Sequence, residues 1–438
     1  METLIEHLIS DFQERDLPRM QAREAKLPQI PGKIDAIVGM RRVGKTSLLY
    51  QVMQQQLAQG LPKKNILYMN FDDERLLPLT VDRLHLIPDT YYRMFPELKK
   101  ERCYFFLDEI QNIDGWERFV RRLLDTENVQ LAITGSSSKL LSKEIATALR
   151  GRALTTEVFP YSFKETLIHE NPTFSFAASP GAQARAWLAN RARQFLQLGG
   201  FPEVQGLAEE YRIKILQEYV DVVILRDIIE RYNVANVQVL RAMVRSLLAA
   251  PAALFSVNKF YNDLRSQGIS CSKNDLYDYL DYLHDAYLIF PISICARSVR
   301  VQRTNPRKVY LIDAGLIHAF LHQPHADFGH LLENWVYLEL RRQGFKVEYF
   351  RTQKGAEVDF IATSNRGEQA LYQVALNLDD ARTRAREIRA LEDAMQELRI
   401  SESKIVTLNH RETIRMTSGI IEAVPAWQLC FDTKAKNL

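Results

Sequence analysis

The chain has 438 residues, enough for two or three domains. Apolar side chains make up 46% and charged side chains 25% of the sequence, which is ordinary for a globular protein with a large core. The 57 basic and 54 acidic residues leave a net charge of +3, which excludes a strongly basic coat protein and an acidic-tail protein but allows a local basic patch.

The sequence predicts a cytoplasmic protein without membrane attachment. The N-terminus carries Glu2 and Glu6 and lacks the basic start and apolar run of a signal peptide. The most apolar charge-free stretch, residues 246–258, contains Pro251 and falls short of the roughly 20 residues that a spanning helix needs. The cysteines are too far apart for a disulfide framework or a zinc ribbon and suit a reducing compartment; they are Cys103, Cys271, Cys295 and Cys430.

The first 160 residues alternate between predicted strands and predicted helices. A charged amphipathic helix and a loop come first, in residues 1–30. Buried strands are predicted at 34–38, 66–71, 103–107 and 129–133, and helices at 47–59 and 116–124. This alternation predicts an α/β fold with a mostly parallel sheet covered by helices on both faces.

A phosphate-binding loop is predicted after the first strand. Its sequence fits G-x-x-x-x-G-K-[ST], in which the glycines let main-chain amides approach phosphate closely at a helix N-terminus. Lys45 is expected to reach the β- and γ-phosphates, and Thr46 to place its hydroxyl on Mg²⁺. The predicted binding residues are Gly39, Met40, Arg41, Arg42, Val43, Gly44, Lys45, Thr46 and Ser47.

Two adjacent carboxylates follow the apolar run of the third predicted strand. Asp108 is placed to hold Mg²⁺ through its water shell, and Glu109 to polarise an attacking water molecule. The alternative is that these acids only cap the next helix.

Polar residues at the end of the fourth strand are candidates to orient the water or the γ-phosphate. Ser136 is the first choice and Thr134 the reserve, with helix capping by the serines as an alternative. Further along, Arg152 could stabilise γ-phosphate charge in its own subunit or in a neighbour, unless it is a solvated arginine. An arginine acting between subunits would require a homo-oligomer.

The pattern changes after Pro160. Residues 161–235 read as mainly helical, residues 237–290 as three helices, and 292–294 and 308–312 as strands around a basic loop. Such a loop can contact a phosphate backbone, although basic loops also serve protein interfaces. The candidates for nucleic-acid contact are Arg297, Arg300, Arg303, Arg307 and Lys308.

The last part of the chain mixes helices and strands, with acids at regular places. Helices are predicted at 329–343 and 380–398, and strands at 345–350, 357–361, 371–376, 405–408 and 424–429. Glu333 falls on the first helix, Glu357 and Asp359 lie two apart on one strand and so share a face, and Gln373 lies on the next strand.

These motifs together resemble those of an AAA-type P-loop ATPase, and more narrowly a bacterial and archaeal family that joins such an ATPase to a C-terminal domain of unknown function. The matching segments are 39–49, 68–76, 106–123, 133–152, 199–204, 223–234, 308–316, 332–340 and 356–361. The resemblance implies ATP binding and Mg²⁺-dependent hydrolysis. It suggests an ATPase domain (1–160), a helical linker (161–235), a winged-helix-like domain (236–311) and a nuclease-like domain (312–438).

The acids of the last domain resemble the PD-(D/E)xK nuclease core, where they would hold a divalent cation and a lysine would help to activate water. This sequence departs from that pattern, because Gln373-Val374-Ala375 places alanine where the lysine belongs. Lys354 is a possible substitute. We therefore expect the architecture to persist while cleavage is lost or weak.

Two functions are compatible with this sequence. The first is a DNA-linked ATP-dependent motor or remodeller, favoured by the basic loop and the nuclease-like acids. The second is an ATP-driven signalling or scaffold switch whose C-terminal part binds a protein.

Overall fold

The computed structural model describes residues 1–135, 149, 151–176, 180–320 and 328–431. The chain divides into two compact units, Met1–Phe159 and Pro160–Leu438. Within the described ranges, no helix combines the length and apolar character needed to cross a lipid bilayer.

The first unit is built on a five-stranded parallel sheet. Its strands are β1 (Ile34–Val38), β2 (Ile66–Asn70), β3 (Cys103–Asp108), β4 (Val129–Gly135) and β5 (Ala153–Glu157). They lie in the order β2-β3-β4-β1-β5, and every neighbouring pair is parallel. The helices are α1 (Glu2–Glu14), α2 (Lys45–Ala58), α3 (Leu86–Met94) and α4 (Trp116–Thr126). This confirms the predicted α/β fold class.

Burial explains which strands could be predicted. Every residue of β1 and β4 is buried, as expected for central strands of a parallel sheet. Strand β5, which was not predicted, is an edge strand whose residues are half-buried or exposed and include two threonines and a glutamate. Because the sheet is parallel, the carboxyl ends of β1, β3 and β4 meet at one edge.

The second unit begins with helices. These are α5 (Phe163–Glu170), α6 (Ala182–Leu198), α7 (Glu209–Val222) and α8 (Val237–Ala249). Helix α7 continues as a π-helix over Val223–Ile229 and one α-turn over Glu230–Tyr232, and ends at Asn233 in the left-handed conformation. The prediction of a helical stretch before residue 236 agrees with these elements.

A three-stranded antiparallel sheet follows. It consists of β6 (Ala253–Phe255), β7 (Ile289–Ile292) and β8 (Arg307–Leu311), in the order β6-β8-β7. Helices α9 (Val257–Ser266) and α10 (Lys273–Asp285) connect β6 to β7. The predicted basic loop between β7 and β8 contains a short helix, α11 (Val299–Thr304).

The rest of the second unit is a six-stranded mixed sheet with helices. The strands are β9 (Lys346–Arg351), β10 (Glu357–Thr363), β11 (Gln369–Val374), β12 (Glu402–Thr407), β13 (Glu412–Met416) and β14 (Gly419–Pro425), in the order β13-β14-β12-β11-β10-β9. The helices are α12 (Ala314–Phe320), α13 (Phe328–Arg342), α14 (Ala381–Leu398) and α15 (Ala426–Phe431).

The prediction of a strand at 424–429 was wrong. Strand β14 ends at Pro425 and is followed by α15, which buries Ala426, Trp427 and Leu429. A short apolar run does not distinguish a buried strand from a buried helical turn.

Asp313, two residues after the end of β8, binds two glycine segments of the second unit. Its carboxylate accepts hydrogen bonds from the Gly200 N–H at 2.6 Å and the Gly315 N–H at 2.8 Å. Burial raises the pKa of Asp313 to about 6, despite these hydrogen bonds. Gly199 has a φ of +73°, and a Cβ atom there would overlap Asp313 Oδ1. The carboxylate therefore requires glycine at position 199.

We expect Gly199→Ala to lower the free energy of unfolding by about 3 kcal/mol, since it combines left-handed strain with a steric overlap. The matched control is Gly206→Ala. Gly206 has a φ of +76° and nothing within 4 Å of its would-be Cβ, so only strain of about 1 kcal/mol is expected. Urea unfolding of the full chain measures both losses, and equal losses would contradict the role given to Asp313.

Candidate functional site

The loop between β1 and α2 has the backbone conformation that its glycines allow. Gly39 has a φ of 154° and Gly44 a φ of 97°. A Cβ atom at Gly39 would overlap the Val158 carbonyl oxygen, so no larger residue fits there. Gly44 is the N-cap of α2, whose first-turn N–H groups have no acceptors within the helix. The loop thus presents main-chain donors at the positive end of a helix dipole, where anions bind.

The Lys45 side chain is buried against this loop. Its Nζ donates to the carbonyl oxygens of Gly39 at 3.2 Å and Met40 at 3.3 Å, and lies 3.4 Å from Glu109 Oε1. All of these acceptors lie at the carboxyl edge of the sheet, where the loop begins. The ammonium group is therefore already held at the place where a phosphate bound by the loop would lie.

Asp108, at the end of β3, accepts three hydroxyl hydrogen bonds. Thr46 Oγ1 donates to Asp108 Oδ2 at 2.8 Å, Tyr68 OH donates to the same oxygen at 3.0 Å, and Thr134 Oγ1 donates to Asp108 Oδ1. Burial raises the pKa of Asp108 above its usual value, and the hydroxyl groups limit that rise. A hydroxyl and a carboxylate in contact are oxygen donors of the kind that Mg²⁺ prefers, so Thr46 and Asp108 fit this ion.

Glu109 adopts a left-handed conformation with a φ of 53°. Its N–H donates to Thr134 Oγ1 at 2.8 Å, and its carboxylate accepts from Gln111 Nε2 and faces Lys45. Burial alone would raise the pKa of Glu109, but Lys45 and Gln111 outweigh burial and hold that pKa below its usual value. Glu109 is therefore ionised at neutral pH, as a general base must be.

The comparisons with known proteins agree with this geometry. Residues 31–167 match the family model described as AAA domain, and residues 189–327 and 328–429 match two domains of unknown function (DUF8612 and DUF4143). An uncharacterized protein of Methanocaldococcus jannaschii is 36% identical over 416 residues, which cover 93% of this chain and 90% of that protein. The chain belongs to the family of this protein. The N-terminal part of this chain, residues 31–167, is an AAA-type P-loop ATPase domain.

Other relatives and solved structures are similar over much of the chain. An uncharacterized protein of Haemophilus influenzae is 32% identical over 351 residues, covering 79% of this chain and 83% of that protein. The structure of a Walker-type ATPase of Pyrococcus abyssi matches with 15% identity and a TM-score of 0.43, covering 70% of this chain and 99% of that one. An Aeropyrum pernix ORC1 protein, solved in complex with DNA, matches with 13% identity and a TM-score of 0.29, covering 74% and 91% of the two chains.

The other candidates of the AAA domain were Ser136, its reserve Thr134, and Arg152. Ser136 lies outside the described residues, whereas the reserve candidate Thr134 contacts both acids. Arg152 precedes β5 and pairs with Asp125. Ala153 is in register with Ile34, the first residue of β1, whereas the phosphate loop follows the last residue of β1. Arg152 therefore lies at the amino ends of the strands, and the loop lies at their carboxyl ends. This corrects the expectation that Arg152 could act in its own subunit.

Arg23 belongs to the site but was not predicted. Its guanidinium is buried and donates to the carbonyl oxygens of Val43 at 2.7 Å and Phe159 at 2.6 Å, while its main-chain N–H donates to Gln51 Oε1. A Cβ atom at Gly44 would lie 2.8 Å from Arg23 Nη1. Arg23 thus ties the segment before β1 to the phosphate loop. In the sequence it is one arginine among many charged residues, which gives no indication of burial.

In the second unit, the predicted acids lie around one cleft of about 680 Å³. Glu333 comes from α13, Glu357 and Asp359 from β10, and Gln373 from β11, where its Oε1 accepts from the Asp359 N–H at 3.2 Å. Lys308 joins them: it is buried, with Nζ within 3.0 Å of three of these carboxylates. This burial contradicts the prediction that Lys308 contacts nucleic acid.

The other basic residues are distributed around α11. Arg297 and Arg300 are exposed, and Arg307 lies 3.6 Å from Asp281 Oδ1. The side chain of Arg303 lies outside what the structure describes.

We expect Arg23→Ala to raise the Kd for ATP about tenfold, or about 1.4 kcal/mol. Without the guanidinium, the Val43 carbonyl loses its partner and the loop must be ordered when the nucleotide binds. Arg19→Ala, which removes an exposed arginine from the same segment, is the control. Calorimetry at one salt concentration measures both Kd values, and equal values would contradict the role of Arg23.

Proposed function

We propose that the AAA domain hydrolyses ATP in a Mg²⁺-dependent reaction. The observation that carries this proposal is the convergence of Lys45, Thr46, Asp108 and Glu109 at one edge of the sheet, within hydrogen-bonding or ion-pair distance of their neighbours. Each of these residue types has a role in phosphoryl transfer that depends on this proximity.

The Lys45 ammonium is held by acceptors that a phosphate can replace. Two carbonyl oxygens and one carboxylate oxygen surround it at 3.2–3.4 Å. Phosphate oxygens on the loop carry more charge than the two carbonyls and would take their place.

Thr46 and Asp108 would hold Mg²⁺, which when bound neutralises charge on the β- and γ-phosphate oxygens. Glu109 would accept the proton of the attacking water. Thr134 would act as a positioning residue, because its single hydroxyl donates to Asp108 and accepts from the Glu109 N–H.

We expect Glu109→Gln to lower the ATP turnover number at least about a hundredfold while ATP remains bound, since the amide removes the base and spares the Mg²⁺ ligands. Lys45→Ala is expected to abolish binding itself. Glu127→Gln, at the end of α4 and paired with Lys99, is the control for a lost acidic side chain. Phosphate release and nucleotide calorimetry separate these effects; unchanged turnover in Glu109→Gln rejects this role.

For the second unit we propose coupling to DNA. From α8 to β8 the elements follow the order helix, strand, helix, helix, strand, short helix α11, strand, and β8 lies between β6 and β7 in the sheet. This arrangement supports a winged-helix domain. The segment between its last two strands would be the wing, and there Arg297 and Arg300 are exposed to contact a phosphate backbone. The six-stranded sheet would be a nuclease-like domain without strong cleavage, because Ala375 stands in the lysine position.

A protein partner is the second candidate, and α11 provides the observation that favours it. Beside the arginines, Val299 is 59% exposed and Val301 38% exposed. Apolar side chains on a surface helix fit a protein interface better than a phosphate backbone.

The two candidates differ in their response to salt. If the wing binds DNA, Arg297→Ala combined with Arg300→Ala weakens binding and lowers the slope of log K against log salt by about 2. The control is Arg382→Ala with Arg389→Ala, which removes the same charge from exposed positions on α14. Gel-shift titrations measure both slopes. An absence of DNA binding at low salt would reject the DNA role and leave the protein partner.

A further inference from the structure

Lys308 lies at the centre of three carboxylates that come from different elements. It projects from β8, and its Nζ lies 3.0 Å from Glu333 Oε1 on α13. Glu357 Oε1 and Asp359 Oδ1, both on β10, each lie 2.9 Å from the same atom. An ammonium has three N–H donors, so this geometry uses one donor for each carboxylate.

Lys308, Glu333 and Asp359 are well buried, so the interactions among them are little screened by water, whereas the Glu357 side chain is 28% exposed. The side chain of Lys308 is 6% exposed, and those of Glu333 and Asp359 are each 11% exposed. Burial alone would lower the pKa of Lys308, but the carboxylates of Asp359, Glu333 and Glu357 outweigh burial and hold that pKa above its usual range. Three carboxylate oxygens at 2.9–3.0 Å thus surround the Lys308 Nζ atom.

The three carboxylates are also held by partners other than Lys308. Tyr310 OH donates to Glu333 Oε1 at 2.7 Å, and the Val374 N–H donates to Asp359 Oδ2 at 2.9 Å. Arg351 Nη2 donates to Glu357 Oε2 at 3.2 Å. These contacts would keep the three carboxylate groups in the cleft if the ammonium were removed, and the oxygens that face Lys308 would have to move inward from 2.9–3.0 Å to the shorter distances at which a divalent cation is bound.

This arrangement does not fit the divalent cation that the nuclease resemblance implies. The acids converge on a point that is already occupied by a positive charge, and a second cation there would be repelled. Lys354, the predicted substitute for the motif lysine, instead contacts Asp393 Oδ1 at 2.6 Å with its side chain 71% exposed. The cleft thus has the acids of a metal site and a lysine in place of the metal.

We propose that Lys308 is the resident cation of this cleft, and that removing its charge converts Glu333, Glu357 and Asp359 into a site for one divalent cation with oxygen ligands. The proposal goes beyond ATP hydrolysis and stands whether or not the AAA domain turns over nucleotide. It also gives Lys308 a structural role, since its ammonium joins the three-stranded sheet to α13 and β10.

The test is Mn²⁺ binding by the full-length, nucleotide-free protein, with Asp108→Asn present throughout to remove the P-loop site. Calorimetry and the electron paramagnetic resonance signal of free Mn²⁺ both report binding without reference to enzyme activity. Adding Lys308→Met is expected to create one Mn²⁺ site at least about tenfold tighter than any in the parent, because the three acids then have no cation between them. The parent is expected to show no saturable binding in the cleft.

Two controls locate the new site. Lys354→Met removes an exposed lysine that also pairs with an acid, and it is expected to gain no Mn²⁺ site. Adding Asp359→Asn to Lys308→Met is expected to abolish the gained site.

Three results would overturn the proposal. The first is saturable Mn²⁺ binding by the parent that Asp359→Asn removes, since the ion would then share the cleft with the ammonium. The second is a folded Lys308→Met variant with no new site. If methionine prevents folding, Lys308→Gln replaces it, because glutamine keeps hydrogen-bond donors without the charge. The third overturning result is then the absence of a Mn²⁺ site in the Lys308→Gln variant.

Discussion

The nucleotide site depends on one buried carboxylate at the end of β3. Asp108 accepts hydrogen bonds from Thr46 on α2, Tyr68 on β2 and Thr134 on β4, so it connects the loop helix to both neighbouring strands. A buried carboxylate without such partners would cost several kcal/mol. The hydroxyls thus satisfy Asp108 and also fix the distance between the phosphate loop and the acids.

Two lysines of this chain are held by acids in different ways. Lys45 faces a single carboxylate at 3.4 Å and two carbonyl groups, whereas Lys308 has three carboxylates within 3.0 Å. Coulomb energy rises with each added charge and with shorter distance, most of all in a buried place. A polyphosphate can therefore outcompete the partners of Lys45, while the partners of Lys308 retain it. Lys45 therefore suits the binding of an exchangeable ligand, whereas Lys308 acts as a permanent internal cation.

Local patterns in the sequence predicted the parts of the structure that are local. The phosphate loop directly follows one apolar strand, and Asp108 and Glu109 stand side by side at the end of another. The hydrophobic pattern of the strands and the spacing of the motif residues were therefore sufficient to find them. Other site residues contact partners that are distant in the sequence. The partners of Arg23 are 20 and 136 residues away, that of Tyr68 is 40 residues away, and those of Lys308 are 25 and 51 residues away. A single sequence contains no periodic pattern that reveals contacts over such separations. Edge strand β5 was missed because it is short and half-polar, and helix α15 was misassigned because it is short and follows a proline. Such segments show no clear hydrophobic period.

The register of β5 has a consequence for assembly. Strand β5 runs parallel to β1 with Ala153 opposite Ile34, so Arg152 and the phosphate loop lie at opposite ends of a five-residue strand. At about 3.3 Å per residue, the strand alone separates them by roughly 16 Å. An arginine side chain that also pairs with Asp125 does not bridge that distance within one chain. If Arg152 stabilises charge on a γ-phosphate, that phosphate must belong to a neighbouring copy, and ATP hydrolysis would then depend on association of the protein with itself.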